Sequence, residues 1–141
     1  MLQDYPGGCH CGAVEFVYCT ALAPSQWQLR ACQCSFCTAH AGLTTSDPQG
    51  SVGFLVRRPD ALQHYRFGMR SADFLVCRQC GVYVGVCSDT DQGQFAVVNV
   101  RALRPRPAGL PEAVAVTFSG ESLDQRLARR KLLWTPVKDV L

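Results

Sequence analysis

Seven of the nine cysteines in this chain lie in three short motifs that have the spacing of metal ligands. The motifs are Cys9-His10-Cys11-Gly12, Cys32-Gln33-Cys34-Ser35-Phe36-Cys37 and Cys77-Arg78-Gln79-Cys80-Gly81. Two thiolates that stand one or two residues apart on a tight turn can both reach one Zn²⁺ ion at ~2.3 Å. A glycine directly after such a pair allows the left-handed backbone that a metal-binding turn tends to adopt. The spacing therefore predicts that the chain binds zinc.

The first and third motifs together offer four thiolates, which is the ligand number of a structural zinc site. Cys9 and Cys11 come from one segment, and Cys77 and Cys80 come from a distant one. We therefore predict a closed four-cysteine site that joins the first strand to a later hairpin. Because such a site is not preformed in the unfolded chain, its metal affinity contributes directly to folding.

The second motif offers only three thiolates, from Cys32, Cys34 and Cys37. Zinc with three protein ligands keeps a fourth position for water or substrate, which is the arrangement of catalytic sites. Zinc held in this way can keep a substrate thiol deprotonated at neutral pH or polarise a carbonyl group. We predict that these cysteines form a catalytic zinc site, so that the chain binds two zinc ions, the second at a labile site.

Other arrangements of the same ligands are compatible with the sequence. His40, Cys19 or Cys87 could add a fourth ligand to the second motif and make it structural, or its three thiols could be metal-free and redox-active. The second motif could also pair with the third, although the turn glycines Gly12 and Gly81 favour a site made from the first and third motifs. Cys19 and Cys87 stand alone, and we expect both to be small buried apolar residues.

The composition places these motifs in one domain that spans residues 1–141. Hydrophobic residues make up 48% of the chain, which is enough for a core, and the formal net charge of +3 is too small to predict binding to nucleic acid or to a membrane surface. The first residues lack the basic and apolar segments of a secretion signal, so we expect a cytoplasmic protein. In that reducing compartment, cysteines are expected to bind metal rather than form disulfides.

Short apolar runs separated by Gly, Pro, Ser and Asp predict a mainly β domain of short antiparallel sheets. The clearest alternation of apolar and polar residues is at 27–31, where Trp27, Leu29 and Ala31 predict the buried side of a strand. Further strands are expected at residues 14–18, 52–56, 62–67, 73–76, 82–86, 94–100 and 113–118. A short helix is expected at 35–41, within the second cysteine motif.

A longer C-terminal helix is predicted at residues 122–134, where Ser122 and Gln125 form a capping box. Leu123, Leu127 and Trp134 share one face of this helix. Its other face carries the basic residues Arg126, Arg129, Arg130 and Lys131. We interpret this basic face as solvated surface rather than as a patch that binds nucleic acid or a partner, because the net charge is low.

Isolated histidines and arginines carry weaker predictions. His10 lies between two ligands and is interpreted as a surface turn residue, and His64 is interpreted as a half-exposed strand residue. Arg66, Arg70 and Arg78 flank the third motif and are interpreted as solvated charges. Their alternative role is to bind carboxylates or to balance the negative charge of a four-thiolate zinc site.

The three cysteine motifs, in this order, resemble the glutathione-dependent formaldehyde-activating (GFA) family, which shares its domain with centromere protein V. The residues that carry the resemblance are Gly8-Cys9-His10-Cys11-Gly12-Ala13-Val14, Cys32-Gln33-Cys34-Ser35-Phe36-Cys37, Cys77-Arg78-Gln79-Cys80-Gly81, Val98-Asn99-Val100-Arg101 and Phe118-Ser119-Gly120. The resemblance spans about residues 5–120.

Membership of this family implies an Mss-four-like, mainly β fold with a structural and a catalytic zinc site at the cysteines assigned above. It implies a carbon–sulfur lyase that resembles S-(hydroxymethyl)glutathione synthase, with glutathione or a similar thiol and an aldehyde such as formaldehyde as partners. Because glutathione carries two carboxylates, arginines are expected at the entrance of the site. Phe74 stands three residues before Cys77, where many members have an aromatic residue directly before the motif. This departure indicates a divergent subgroup, to which the family's substrate does not carry over.

Two other classes of protein are compatible with these motifs. A non-catalytic zinc-stabilised binding module would have a closed second site, with His40 as a ligand and no pocket beside Cys37. A thiol redox enzyme would need an exposed reactive cysteine, for which Cys19 and Cys87 are the candidates.

Overall fold

Strands make up 39% and helices 16% of the computed structural model, which describes residues 1–139 and 141. The strands are β1 (Gln3–Gly8), β2 (Val14–Thr20), β3 (Arg30–Cys32), β4 (Thr44–Thr45), β5 (Ser51–Val56), β6 (Leu62–Tyr65), β7 (Asp73–Cys77), β8 (Tyr83–Thr90), β9 (Gly93–Asn99), β10 (Val114–Val116) and β11 (Thr135–Pro136). The α-helices are α1 (Ser35–Ala39) and α2 (Leu123–Leu133), and short 3-10 helices at Pro24–Gln26 and Val100–Ala102 make up the rest of the helical content. The predicted mainly β class, the short helix in the second motif and the C-terminal helix are therefore confirmed.

The strands form two sheets. The smaller sheet has the antiparallel order β1-β2-β5, and the larger has the order β10-β3-β4-β9-β8-β7-β6, with β11 paired to β9. The pairing of β10 with β3 is parallel and sets Val116 opposite Cys32. This pair brings the chain that follows β10 next to the second cysteine motif.

The larger hydrophobic core cluster contains residues of both sheets. Phe16 and Val52 come from the smaller sheet, and Leu75 and Val98 come from the larger one. All four side chains are almost completely buried, so apolar burial holds the two sheets together. No helix of the described residues has the length or apolar composition of a membrane-spanning segment.

The strand predicted at residues 27–31 is shorter in the structure, and this prediction was wrong at its start. Trp27 and Leu29 are buried as the alternation indicates, but β3 begins only at Arg30. Trp27 packs edge-on against Tyr5 and Tyr18, with ring centroids 4.8 and 5.3 Å away. The alternation therefore predicted which side chains are buried. The strand itself begins at Arg30, the first residue that pairs with both β10 and β4.

Helix α2 begins as predicted, but the prediction for its faces was wrong. The Ser122 hydroxyl accepts a hydrogen bond from the Gln125 backbone N–H at 3.2 Å, and the Gln125 side chain accepts one from the Ser122 N–H at 2.9 Å. Of the predicted apolar face, Trp134 is buried as expected, but Leu123 is 45% exposed. Arg130, assigned to the solvated face, is only 6% exposed. Part of the basic face of the helix therefore points inward.

We expect Ser122→Ala to lower the free energy of unfolding by about 1 kcal/mol, because it leaves an N-terminal N–H group of α2 without its capping oxygen. Urea unfolding followed by circular dichroism measures the effect. Ser119→Ala, an exposed change of the same chemistry outside the helix, is the control and is expected to stay within about 0.5 kcal/mol of the parent. Equal stability of the two variants would contradict the cap.

Candidate metal centres and the adjoining cavity

The first and third cysteine motifs meet in space. The sulfur atoms of Cys9, Cys11, Cys77 and Cys80 all lie within 4.8 Å of one another, and we call this group the four-cysteine cluster. The Cys11 sulfur lies 3.7 Å from that of Cys9 and 3.6 Å from that of Cys77. Four sulfurs that each stand ~2.3 Å from a tetrahedral zinc are about 3.8 Å apart. The cluster therefore has the chemistry and the spacing to hold one zinc ion.

The two turns that carry these cysteines have the backbone that the sequence predicts. Gly12 and Gly81 have φ values of +86° and +82°, a conformation that side chains with a Cβ atom disfavour. The backbone N–H of Val14 points at the Cys9 sulfur at 3.3 Å, and that of Cys80 points at the Cys77 sulfur at 3.5 Å. Against the effect of burial, the hydrogen bond from Val14 helps to hold the pKa of Cys9 below its usual value, which favours the thiolate form that metal binding requires.

The second motif forms a separate group. The sulfur atoms of Cys32, Cys34 and Cys37 lie within 4.8 Å of one another, and we call this group the three-cysteine cluster. Cys34 caps α1, where its sulfur accepts a hydrogen bond from the Cys37 N–H at 3.3 Å. Cys32 is the last residue of β3, so a strand end and the first turn of a helix position all three thiols. Like the first cluster, this group can hold a metal ion.

None of the candidate fourth ligands joins the three-cysteine cluster, and no other His, Cys, Asp or Glu of the described residues does so. The His40 ring stacks on Phe36, with centroids 4.4 Å apart. Cys19 lies in the smaller sheet and Cys87 in the middle of β8, and both are buried as predicted. The cluster therefore offers three protein ligands and an open position.

The pKa values of Cys32 and Cys37 are strongly shifted in opposite directions. The neighbouring Cys37 thiol, with smaller contributions from Cys34 and from the charge of Arg129, outweighs burial and lowers the pKa of Cys32 to about 5. The same neighbour interaction raises the pKa of Cys37, and burial adds to that increase. Closely spaced thiols thus favour one thiolate before any metal binds, which suits the first step of metal capture.

A cavity of about 300 Å³ lies beside the three-cysteine cluster, and all three of its cysteines line the wall. Much of the remaining wall is apolar, with Phe74, Val86 and Trp134 among its residues. Tyr83 also lines the cavity, and its buried hydroxyl has no hydrogen-bond partner in the described part of the chain. A cavity of this size and character is typical of a small-molecule site.

Four arginines also line this cavity: Arg30, Arg126, Arg129 and Arg130. Three of them belong to the helix face that we predicted to be solvated, and the side chains of Arg126 and Arg129 are only 20% and 17% exposed. The Arg129 guanidinium lies 3.6 Å from the ring centroid of Phe118. Lys131 is the member of the basic run that turns to the surface, where it binds Asp91 at 3.0 Å.

Sequence reasoning missed these arginines although one signal was available. Arg130 and Trp134 are four residues apart and therefore share one face of a helix. The sequence predicts that Trp134 lies on the apolar, buried face of the helix, and the same reasoning predicts that Arg130 is buried. The structure supplies the polar partners that make this burial tolerable, namely the hydroxyl groups of Ser71 and Ser88 at 3.0 and 3.1 Å.

The remaining histidines and arginines lie outside the two clusters. His10 is exposed in a turn, and His64 is a half-exposed residue of β6, as predicted. Nδ1 of His64 lies 3.1 Å from a carboxylate oxygen of Asp73, which also binds Arg66. Burial raises the pKa of Asp73, but these two partners outweigh it and hold the pKa below its usual range. Arg66 is therefore occupied by an ion pair within the chain.

The chain matches no protein-family model. Among solved structures it is similar to the crystal structure of a Rhodobacter sphaeroides protein, a Northeast Structural Genomics target. The two are 29% identical, with a TM-score of 0.58, over 79% of this chain and 99% of that chain. This similarity supports the fold.

Proposed function

We propose that this chain is a zinc-dependent carbon–sulfur lyase of the GFA kind, which forms and cleaves the adduct of a small thiol and an aldehyde. The observation that carries the proposal is the three-cysteine cluster on the wall of a cavity. Cys32, Cys34 and Cys37 leave a coordination position for a substrate, and the cavity gives that substrate access. The four-cysteine cluster takes the structural role, because its ligand set is complete.

Zinc bound by the three thiolates would lower the pKa of a substrate thiol, so that the thiolate forms at neutral pH. In the reaction, the substrate sulfur bonds to the aldehyde carbon, and the carbonyl oxygen receives the proton that the thiol has lost; the lyase direction reverses both changes. The apolar wall at Phe74 and Trp134 keeps water from the aldehyde. The unpartnered Tyr83 hydroxyl offers a hydrogen-bond donor to a substrate oxygen.

The two competing classes have less support. A binding module with a closed second site required His40 as a ligand, whereas this ring stacks on Phe36 outside the cluster. A redox enzyme required an exposed reactive thiol at Cys19 or Cys87. Both are buried, and burial raises the pKa of Cys87 to about 12. A reactive thiol instead needs a lowered pKa, so that it is present as the thiolate.

The experiment that tests the proposal is Cys34→Ser. We expect the purified parent to contain two zinc ions and the variant to contain one, while its circular dichroism spectrum stays native. Interconversion of thiol and formaldehyde with their adduct, followed by exchange NMR with glutathione and smaller carboxylated thiols, should fall at least about a hundredfold. The loss follows because the substrate thiolate no longer has its metal.

Cys87→Ser is the matched control, since it also removes a thiol but not a ligand, and it should keep both zinc ions and the parent rate. If the Cys34→Ser protein is folded and keeps the full turnover rate, the proposal is wrong. The proposal would also be contradicted if the parent protein holds two zinc ions but converts none of the tested thiols faster than Cys34→Ser does.

A further inference from the structure

The two faces of the larger sheet belong to different hydrophobic clusters. Side chains alternate along each strand, and Leu75 and Val98 point into the larger core cluster, which also contains residues of the smaller sheet. The opposite face carries Val86 and Val97, which pack in a second cluster with Trp134 at the end of α2. This second face also forms part of the wall of the cavity beside the three-cysteine cluster.

The strand register places a continuous row of apolar side chains on this face. Phe74 of β7 pairs with Val86 of β8, and Val86 pairs with Val97 of β9. Directly opposed residues of neighbouring strands point to the same face of a sheet. On β6, Tyr65 pairs with Phe74 and continues the row to the surface, where Tyr65 is 42% exposed. Neighbouring strands therefore build one hydrocarbon surface along the cavity.

The cavity is far larger than formaldehyde needs. Its volume is about 300 Å³, whereas an apolar cavity of ~150 Å³ is enough to hold benzene. Formaldehyde has one carbon and one oxygen, so it would cover little of the apolar wall. Protein interiors are close-packed, and an apolar wall without a partner loses burial and dispersion contacts. A wall of this kind therefore indicates a ligand that carries a hydrocarbon group.

The position of Tyr83 favours the aldehyde, rather than the thiol, as the carrier of this group. In the proposed reaction the Tyr83 hydroxyl, which is buried without a hydrogen-bond partner among the described residues, donates to the substrate oxygen. The Tyr83 ring packs edge-on against Phe36, the neighbour of Cys37 in the chain, with centroids 5.0 Å apart. Tyr83 also belongs to the same cluster as Val86 and Val97. A carbonyl group between Tyr83 and the three-cysteine cluster would therefore have its substituent beside the apolar row.

We propose that Phe74, Val86 and Val97, together with Trp134, form a subsite for the hydrocarbon group of the aldehyde. The preferred carbonyl substrate is an aldehyde with an apolar group about the size of a phenyl ring, rather than formaldehyde. Aromatic side chains on the wall suit a ring, because offset and edge-to-face contacts between rings add to the gain from burial. This inference rests on the proposed function and leaves the bond changes of that reaction as they are.

The test compares propanal with 3-phenylpropanal, which differ only in a phenyl ring, in the presence of one thiol and the zinc-loaded protein. We expect kcat/KM, measured by exchange NMR, to be about tenfold or more higher for 3-phenylpropanal, because burial of the ring adds binding energy. Val86→Phe fills part of the subsite and should reduce this preference to about twofold or less. The control Val17→Phe makes the same change at a residue of β2 that is 43% exposed and outside the cavity, and it should leave the preference unchanged.

The outcomes separate this inference from the proposed function. If the parent converts both aldehydes with equal kcat/KM, the hydrocarbon subsite is wrong and the proposed function stands; this comparison holds even if Val86→Phe fails to fold. A folded Val86→Phe protein that keeps the full preference also overturns the subsite. If the ring raises kcat/KM only on the thiol, as in 2-phenylethanethiol compared with ethanethiol, the assignment to the aldehyde is wrong.

If the parent converts no aldehyde, formaldehyde included, the proposed function is wrong. Binding of 3-phenylpropan-1-ol and propan-1-ol to the parent, followed by NMR, then decides the subsite, because these alcohols carry the same hydrocarbon groups without the reactive carbonyl. Binding of the phenyl alcohol that is about tenfold tighter and shifts the methyl signals of Val86 and Val97 supports the subsite. Equal binding, no binding, or shifts elsewhere in the protein overturn it.

Discussion

Cys77→Ser is expected to lose one zinc ion and to lower the free energy of unfolding by about 5 kcal/mol or more, which is a large share of the stability of a domain of this size. Cys77 is completely buried and stands at the end of β7, while its partners Cys9 and Cys11 follow β1. A metal bound by the four-cysteine cluster would link two segments that are far apart in sequence, and its binding free energy would be part of the folding free energy. Zinc analysis and urea unfolding followed by circular dichroism measure both effects.

The control for this prediction is Cys87→Ser, at a cysteine that is 3% exposed and belongs to neither cluster. It buries the same hydroxyl group, so we expect a loss of about 1–3 kcal/mol and a full complement of two zinc ions. A chelator should lower the melting temperature of this variant and of the parent far more than that of Cys77→Ser. Similar stability and equal zinc content in the two variants would show that the four-cysteine cluster does not support the fold.

The local geometry of the turns in the four-cysteine cluster could be predicted from the sequence, because it depends on residues that are close along the chain. Two cysteines followed by glycine form the same turn at Gly12 and at Gly81, each with positive φ. The separation into a group of four and a group of three also follows from ligand number. The structure brings together the same groups that ligand counting suggested.

The cavity could not be predicted, because it depends on contacts between distant segments. The parallel pairing of Val116 with Cys32 brings the C-terminal part of the chain against the second motif. A three-residue strand such as Val114–Val116 carries little pattern of its own, and its partner is decided by tertiary packing. Without this pairing, the sequence gives no reason to place α2 over the cysteines.

The orientation of α2 could be predicted only in part. The cap at Ser122 depends on neighbouring residues, and it is where the sequence places it. Which face is buried depends on partners elsewhere: Ser71 and Ser88 accept hydrogen bonds from Arg130, and Glu121 neutralises Arg129. A basic face is therefore solvated unless the rest of the chain supplies such partners, and residue types within the helix do not reveal them.

Gly85→Ala is expected to lower the free energy of unfolding by about 3 kcal/mol or more. Gly85 is buried in β8 between β7 and β9, and it pairs with Val98. A Cβ atom at this position would lie 2.5 Å from the Val97 carbonyl oxygen and 3.5 Å from the Val98 Cα. Both neighbours are backbone atoms of a paired strand, so they cannot move aside as the end of a flexible side chain would. Urea unfolding followed by circular dichroism measures the loss.

The matched control is Gly53→Ala, which makes the same change in β5, where an added Cβ would meet nothing within 4 Å. We expect this variant to be neutral or to gain about 0.4–1 kcal/mol, because alanine restricts the unfolded chain. If Gly85→Ala is as stable as Gly53→Ala, the register between β8 and β9 is wrong. The cavity described above would then be wrong as well, because its wall includes Tyr83 and Val86 of β8 and Val97 of β9. The two alanine variants therefore test, by stability alone, whether these strands are placed to form a site beside the three-cysteine cluster.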